Sequence, residues 1–405
     1  MQYIWGIIGI LTVLLIGFLF SKHKTKINYR TILFGLAIQI LFAFIVLKTS
    51  IGQAGLQQLT SVVNNIIGYS DAGAKFLFGG LYTEQSNIAF VFAFDILPVV
   101  IFFSALISVL YYLKVMQFFI YIIGGALSWL LGTRKAESMS AAANIFVGQT
   151  EAPLIVRPYL NKMTESELFA VMTGGLASVA GSVLIGYSLL GVPLEFLLAA
   201  SFMAAPAGLV MAKIFLPETS DAPEPKDFEM EADNESTNVI DAAARGASVG
   251  LQLALNIGAM LLAFIALVAL INGLLGFVGG WFGAEDLSLE LVLGYVFAPL
   301  AFAIGVPWEE AVLAGNFIGQ KLVINEFVAY SNFAPVIDQL STKTVAIISF
   351  ALCGFANVSS LGILLGGLGN LAPDRRGDIA KMGLRAIFAG ALASLLSAAI
   401  AGMLI

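Results

Sequence analysis

The chain has 405 residues, of which 59% are apolar and only 11% are charged, whereas soluble proteins are about 45–50% apolar and about 25% charged. So few charges cannot cover a soluble globule, and 20 basic against 26 acidic residues do not supply the basic face that a nucleic-acid-binding protein needs. The composition predicts a membrane protein with several spans. Cys353 and His23 are the only residues of their types, which excludes an internal disulfide and cysteine or histidine metal clusters.

Stretches without charge indicate where the chain crosses the bilayer, because a spanning helix needs about 20 mostly apolar residues. Residues 52–81 are instead rich in Gly, Gln, Asn and Ser, with apolar residues at helical spacing, which predicts an amphipathic helix at the membrane surface. Residues 216–245 include nine acidic and two basic residues and are interpreted as a solvated linker. The stretch 87–113 has Asp95 as its one charged residue. The stretches without any charged residue are 1–20, 31–47, 168–194, 196–212, 246–284, 291–308, 344–373 and 386–405.

The basic residues indicate an orientation, since Lys and Arg collect in cytoplasmic loops. If the N-terminus lies outside, 16 of the 20 basic residues fall in cytoplasmic segments, and the opposite orientation would invert this bias. We therefore expect a multi-pass protein of the cytoplasmic membrane with both its N-terminus and its C-terminus outside. The four basic segments are 21–30, 113–167, 213–245 and 374–385.

Two apolar stretches differ from ordinary spans because Gly, Pro and carboxylates interrupt them. They lie at 133–161 and 305–341, and each contains an Asn, then Gly-Gln, then a Glu. Further along, the sequence GLASV at 175–179 is matched by GFANV at 354–358. We interpret these segments as two copies of one unit, each a re-entrant hairpin followed by helices, which enter the membrane from opposite sides. Such an inverted repeat is the usual architecture of secondary transporters.

Polar residues inside the two hairpins predict a binding site, because a carboxylate near the bilayer centre costs about 2.5–3.5 kcal/mol and usually marks a site. Gln149, Thr150 and Glu151 lie in the first hairpin and Glu326 in the second. Almost no cation other than Lys321 accompanies them, which disfavours an anionic substrate. A neutral ligand fits better, because Gln149 can donate to and accept from the edge of a base. Glu326 can accept hydrogen bonds from two sugar hydroxyls.

Other polar residues leave several alternatives open. Asn144 and Ser178 have hard oxygen ligands that, with freed backbone carbonyls, can hold a monovalent cation. An intramembrane enzyme is disfavoured because neither carboxylate has an evident nucleophile or metal cluster, and the closed hairpin tips argue against a channel. Glu309 and Glu310 are interpreted as capping the start of the second hairpin. Asp95 has no evident partner.

Four segments of the chain are specific enough to identify relatives: GQTEAPL at 148–154, GVPWEEA at 305–311, NEFVAY at 325–330 and CGFANVSSLGI at 353–363. They resemble the signature segments of the concentrative nucleoside transporter family. The resemblance covers essentially the whole chain and implies a bacterial, sodium-coupled member. It implies an all-α polytopic fold with eight transmembrane helices, two re-entrant helical hairpins in an inverted repeat and interfacial helices, assembled as a homotrimer in the inner membrane.

The resemblance also implies a domain organisation. A scaffold would hold the trimer together, and a mobile transport domain built from both repeats would carry the substrate. The parts are the N-terminal helices with part of the scaffold at 1–131, the first repeat at 132–216, the acidic linker with a long scaffold helix and an external interfacial segment at 217–304, and the second repeat at 305–405.

Individual binding residues follow from the same resemblance. The residues expected to contact the nucleobase are Gln149, Thr150, Glu151 and Val183. The residues expected to contact the ribose are Glu326, Asn357 and Ser360, with Phe355 lining the pocket. The residues expected to form the sodium site are Asn144, Val147 (through its carbonyl), Ser178 and Ser182.

We therefore expect a secondary active symporter, not an enzyme, that imports uridine-like nucleosides by alternating access, driven by the sodium gradient. No cofactor is expected besides sodium as the coupling ion, and no nucleic-acid partner. Proton coupling through Glu151 or Glu326 is the first alternative, and a channel for small polar solutes is the second. Purine or pyrimidine preference and ion stoichiometry stay open at this point.

Overall fold

The computed structural model describes residues 2–81, 91–220, 228, 230 and 236–405, and every regular element in these residues is helical. The expected all-α fold is therefore confirmed. Much of the acidic linker, at 221–227, 229 and 231–235, lies outside the described residues, as do residues 82–90. The helices of the N-terminal part are α1 (Gln2–Leu19), α2 (Tyr29–Lys48), α3 (Ser50–Phe78), α4 (Phe92–Asp95), α5 (Leu97–Tyr112) and α6 (Val115–Leu131).

The middle of the chain forms the first hairpin, a broken helix and two long helices. The first hairpin (hairpin 1) consists of α7, a non-helical tip, a short 3-10 helix at Ala152–Val156 and α8. A single span is broken between α9 and α10. The helices are α7 (Lys135–Ala143), α8 (Arg157–Leu160), α9 (Glu165–Ala177), α10 (Gly181–Leu189), α11 (Leu194–Phe215) and α12 (Val239–Gly280).

The C-terminal part repeats this plan. Its hairpin (hairpin 2) consists of α14, a tip at 324–325, α15 and a 3-10 helix at Ala334–Gln339, and a second broken helix follows as α16 and α17. The helices are α13 (Leu289–Ala303), α14 (Trp308–Val323), α15 (Glu326–Phe333), α16 (Thr342–Leu352), α17 (Ser360–Gly366), α18 (Leu368–Leu371) and α19 (Arg376–Leu404).

Six helical segments of the described residues are long and apolar enough to cross a membrane. A seventh is added if α13 and α14, which meet at an angle of 116°, form one span. The total of eight spans stays a prediction. With 42 residues, α12 is about 63 Å long at 1.5 Å per residue, so it must tilt or extend beyond a hydrocarbon core of about 30 Å. Its surface is mostly exposed, whereas the broken α9–α10 span is almost entirely buried.

The amphipathic stretch forms a helix, α3, and its position at the membrane surface stays a prediction. Thr49 caps it by accepting a hydrogen bond from the Gly52 N–H at 3.0 Å, so the helix begins two residues before the predicted start. Most of its side chains are exposed, and only Ile67 and Ser70 are buried. A helix with one narrow contacting face and otherwise exposed sides fits a position at the edge of the helical bundle.

Contacts at the two ends of the bundle determine the directions of the hairpins. At one end, Trp5 packs on Phe302 with ring centroids 4.7 Å apart, and Glu310 at the base of hairpin 2 accepts hydrogen bonds from Ser341. At the other end, Lys22 pairs with Glu165 at 3.0 Å. The base of hairpin 1 also lies at this second end.

Because α1 connects the two ends, the hairpins enter from opposite ends, as the inverted repeat requires. The second end carries the basic segments: Arg134 at the start of hairpin 1 pairs with Glu167 at 3.4 Å, and Arg375 donates to the Met163 carbonyl at 2.6 Å. In addition, α1 and α19 are antiparallel, since Gly6 lies against Met403 and Phe20 against Phe388. Both chain termini therefore lie at the end opposite to these basic segments.

The Asn and Gly-Gln match between the hairpins does not mark equivalent positions. In hairpin 1 the matched residues, Asn144 and Gln149, lie in the non-helical tip. In hairpin 2 they lie within the continuous helix α14, where Gln320 donates to Asn316 at 2.9 Å and accepts from Asn332 at 2.7 Å. Short patterns of small and amide residues recur in membrane helices. The sequence match therefore identified the two repeated units but aligned their residues in the wrong register.

Sequence analysis assigned no binding role to Asp95, Glu309 or Glu310, and the structure shows a structural role for two of these three carboxylates. Glu310 holds the two ends of hairpin 2 together, because its carboxylate accepts from the Ser341 N–H at 2.9 Å and from the Ser341 hydroxyl at 2.8 Å. This matches the interpretation as a capping residue. Asp95 does have a partner, since it accepts a hydrogen bond from the Val91 N–H at 2.5 Å and so caps the short helix α4. Glu309 lies exposed at the start of α14.

A buried ion pair ties hairpin 1 to α11. The Lys213 ammonium lies 2.5 Å from the Glu137 carboxylate, with both side chains less than 10% exposed, and also donates to the Ser166 hydroxyl at 2.8 Å. Removing one partner of a buried pair typically costs about 3–5 kcal/mol because it leaves the other charge uncompensated. The base of hairpin 1 is therefore sensitive to the loss of either charge alone.

We expect Lys213→Met to lower the thermal unfolding temperature of the detergent-purified protein markedly. Addition of Glu137→Gln to that variant should restore most of the loss, because no unpaired charge then remains buried. The control is Lys22→Met, which breaks an exposed pair worth about 0–1 kcal/mol. An equal effect of Lys213→Met and Lys22→Met would contradict this prediction.

Candidate substrate and ion site

Glu326 lies at the centre of a buried hydrogen-bond network at the tip of hairpin 2. The side chain of Asn325 caps α15 by accepting from the Val328 N–H at 2.8 Å, which sets the first turn of that helix. The Glu326 side chain is 5% exposed. Its Oε1 accepts from the Tyr187 hydroxyl at 3.1 Å, and its Oε2 accepts from Nδ2 of Asn357 at 3.0 Å. A carboxylate has about four lone-pair sites, so it retains capacity for two further donors.

The break between α16 and α17 orients the partner of Glu326. Oδ1 of Asn357 accepts from the Ser359 hydroxyl at 2.6 Å and from the N–H and hydroxyl of Ser360 at 3.0 and 3.1 Å. The Ser360 hydroxyl has one proton, which it shares between Oδ1 of Asn357 and the Phe355 carbonyl. With its oxygen held in this way, the Asn357 amide has to point its N–H group at Glu326. The predicted ribose-contacting residues are thus brought together in one cluster.

Tyr187 belongs to this cluster, although the sequence analysis did not single it out. It is fully buried, and its ring stacks on Tyr330 with centroids 4.3 Å apart and meets Phe327 edge-on at 4.9 Å. Tyr187 follows Val183 by four residues on α10, so both lie on the same helix face. That spacing from a predicted nucleobase contact is the signal that could have identified it.

The tip of hairpin 1 presents a different set of groups. Gln149 is buried, and its Oε1 has no hydrogen-bond partner. The Glu151 carboxylate folds back and accepts from the Gly148 N–H at 3.1 Å, which closes the tip on itself. Thr150 is exposed and lies against Gly367. Among the described residues, no hydrogen bond joins this group to the Glu326 cluster, so the two predicted halves of the substrate site remain separate.

Asn144 lies where hairpin 1 meets the end of α9. Its Nδ2 donates to the Ser140 carbonyl at 2.9 Å, whereas its buried Oδ1 has no partner and faces Gly175. Ser178, the first residue after α9, donates from its hydroxyl to the Gly174 carbonyl at 3.1 Å. An unpartnered buried oxygen is costly, and this one lies beside the carbonyl end of a broken helix, which is the donor set that suits Na⁺.

The remaining predicted sodium and base contacts lie nearby. Val147 in the hairpin tip, and Ser182 and Val183 in the first turn of α10, are all buried. The tip is joined to α10 by the Gly181 N–H, which donates to the Phe146 carbonyl at 3.1 Å. The two repeats meet where the Phe355 N–H donates to the Ser178 carbonyl at 3.1 Å. This bond connects the broken helices directly.

Gly175 permits the close approach of α9 to the tip of hairpin 1. A Cβ at this position would lie 2.8 Å from Cβ of Gln149, which requires the tip to move. We expect Gly175→Ala to reduce nucleoside uptake at least tenfold while the protein still folds. The control is Gly362→Ala in α17, where the added Cβ meets open space. Equal uptake by the two variants would argue against tight packing of the tip.

Two hairpins that enter from opposite ends and meet broken helices at a polar centre define a secondary transporter. Three family models match the chain: "Na+ dependent nucleoside transporter C-terminus" over residues 196–402, "Na+ dependent nucleoside transporter N-terminus" over 8–81, and "Nucleoside recognition" over 93–193. Together they cover most of the chain. The chain belongs to the Na⁺-dependent concentrative nucleoside transporter family.

Relatives and solved structures agree with this assignment. The chain is 58% identical to the uncharacterized transporter YutK of Bacillus subtilis, over the full length of both. It is 50% identical to the nucleoside permease NupC of Helicobacter pylori, over 99% of this chain and 98% of the permease. It is also 41% identical to human solute carrier family 28 member 3, covering 98% of this chain and 59% of that protein. The family and these relatives confirm the expectation of a transporter rather than an enzyme.

The fold is similar to that of CNTnw. The inward-facing, substrate-bound CNTnw structure matches with a TM-score of 0.94 at 53% identity, over 100% of this chain and 98% of that one. An outward-facing structure of a doubly substituted CNTnw variant matches with a TM-score of 0.96 at 53% identity, with the same coverage. The similarity confirms the expected multi-pass helical membrane architecture.

Proposed function

We propose that this protein is a symporter that imports uridine-like nucleosides with sodium across the bacterial inner membrane. The observation that carries the proposal is the pairing of a buried, incompletely satisfied carboxylate at Glu326 with an unpartnered oxygen at Asn144. The first suits the hydroxyl groups of a ribose, and the second suits a small cation. The two groups lie on opposite hairpins that are joined through the broken helices.

Nucleoside recognition is assigned to both hairpins. Glu326 accepts hydrogen bonds from ribose hydroxyls, with Asn357 and Ser360 as neighbouring polar contacts, and charge-assisted bonds of this kind are about twice as strong as neutral ones. The free Oε1 of Gln149 accepts from an N–H on the edge of the base. Thr150 and Glu151 complete the contacts to the base, and Val183 and Phe355 line the pocket with apolar surface.

Sodium binding is assigned to the junction of hairpin 1 with α9. The ligands are Oδ1 of Asn144, the Val147 carbonyl, and the hydroxyls of Ser178 and Ser182. The C-terminal end of α9 contributes the negative end of a helix dipole. Because Asn144 and Gln149 belong to one hairpin tip, an ion at Asn144 orders the tip that contacts the base, and the coupling is reciprocal for ion and substrate.

Transport is assigned to a mobile unit made of residues 132–216 and 305–405, moving against a scaffold in a homotrimer. The contact of Phe355 with Ser178 supports movement of both repeats as one body. Both termini are assigned to the outside of the cell, because the opposite end of the bundle holds the basic segments, which belong in the cytoplasm.

Isotopic nucleoside uptake by the purified protein in liposomes tests the proposal. We expect uridine uptake that requires an inward sodium gradient and stops when choline replaces sodium. Uptake driven equally well by a proton gradient in sodium-free buffer would overturn sodium coupling and favour the proton-coupled alternative. Ohmic currents without substrate in single-channel recordings would favour a channel instead.

A further inference from the structure

Each repeat contains a helix that ends inside the bundle, α9 after Ala177 and α16 after Leu352. The last four carbonyls of a helix have no partner within the helix, and they form the negative end of its dipole. In water such carbonyls are solvated, but inside the bundle each must find a donor or a cation. The two repeats place different groups beside these carbonyls.

In the second repeat, the C-terminal end of α16 is capped by an ammonium group. Lys321 lies in the last turn of the first arm of hairpin 2, is 2% exposed, and donates from Nζ to the Ala351 carbonyl at 2.7 Å. The Tyr330 hydroxyl donates to the Ser349 carbonyl, also at 2.7 Å. A covalently attached cation therefore lies at the C-terminal end of α16.

In the first repeat, no ammonium or guanidinium group of the described residues caps the corresponding end of α9. Asn144 directly follows α7, the first arm of hairpin 1, and Lys321 lies in the last turn of α14, the first arm of hairpin 2. Instead of a cation, Asn144 presents an oxygen that has no partner among the described residues. The basic residues of this hairpin, Arg134, Lys135 and Arg157, lie at its base and not at its tip. The end of α16 thus has a positive charge beside it, whereas the end of α9 has an oxygen beside it that can bind a positive ion.

We propose that the Lys321 ammonium is the built-in cation of the second repeat and fills the position that sodium fills in the first. This inference rests on the proposed sodium site and extends it to a positioning role for Lys321. Lys321 neutralises the carbonyl end of α16 without a second ion. In both repeats a cation then neutralises the carbonyl end of the broken helix, and a single sodium ion accompanies each nucleoside.

The test is the dependence of liposomal uridine uptake on sodium concentration. We expect a Hill slope of about one for the wild type and for Lys321→Arg, which retains the charge. In Lys321→Asn, we expect uptake at low sodium to fall at least tenfold and to recover at high sodium, with a Hill slope well above one. The reason is that an oxygen ligand and space for a second ion replace the ammonium. Lys343→Asn, at the base of hairpin 2, is the control and should behave like the wild type.

Thermal unfolding of the purified Lys321→Asn protein in sodium chloride and in choline chloride provides a second measurement. We expect a larger stabilisation by sodium than in the wild type, whether or not the variant transports. The assignment of Lys321 would be overturned if sodium stabilised Lys321→Asn no more than the wild type. It would also be overturned if Lys321→Asn kept the wild-type Hill slope and sodium affinity in uptake, or if the wild type itself had a Hill slope of two. Sodium-independent uptake by the wild type would instead overturn the proposed function itself.

Discussion

Replacement of Glu326 by glutamine is expected to weaken nucleoside affinity on the order of 100-fold, or about 2.8 kcal/mol. The carboxylate accepts from Tyr187 and Asn357 and has two further acceptor sites for ribose hydroxyls. Hydrogen bonds to a charged group contribute about 1.5–3 kcal/mol each, and glutamine removes both the charge and one acceptor oxygen. Equilibrium binding of radiolabelled uridine to the purified variant measures the effect.

Two further variants define what the Glu326 result means. Tyr187→Phe removes one donor without changing charge, so we expect an affinity change of about tenfold or less. Glu309→Gln alters an exposed carboxylate on the same hairpin and should leave the affinity unchanged. If Glu326→Gln binds uridine as tightly as Glu309→Gln, Glu326 is a structural carboxylate and the assignment of the ribose site is wrong.

Asn144→Leu is expected to weaken the stimulation of uptake by sodium strongly. Leucine has a similar size but removes Oδ1, the buried oxygen that has no partner among the described residues. Loss of one oxygen ligand should raise the sodium concentration for half-maximal uptake by at least tenfold, about 1.4 kcal/mol. Uptake measured over a range of sodium concentrations, with choline maintaining ionic strength, gives this value.

Asn144→Asp is the matched control, since it keeps an oxygen at the same position and adds charge. We expect it to retain sodium-stimulated uptake. Sodium-induced thermal stabilisation should likewise be strongly weakened in Asn144→Leu and kept in Asn144→Asp. Sodium stimulation of Asn144→Leu equal to that of the wild type would place the coupling ion elsewhere.

The elements of the fold were largely predictable because membrane insertion imposes a strong constraint on composition. Charge-free stretches correspond to most of the long helices, including α2, α11 and α19, and the apolar spacing between 52 and 81 identified α3. The repeats were also recognisable, but their register was not. Gln149 and Gln320 match in sequence, yet one lies in a hairpin tip with a free oxygen and the other joins the two arms of a helical hairpin.

Apolar length, charge position and short motifs are local properties, so they were enough to identify a membrane transporter and the carboxylates that lie within its bundle. The pairing of buried groups with one another became visible only in the folded chain. Tyr187 reaches Glu326 across 139 positions of the chain, and Lys321 reaches the end of a helix that begins after hairpin 2. Such pairings depend on how distant helices pack, since local spacing does not specify which buried donor will satisfy a given acceptor.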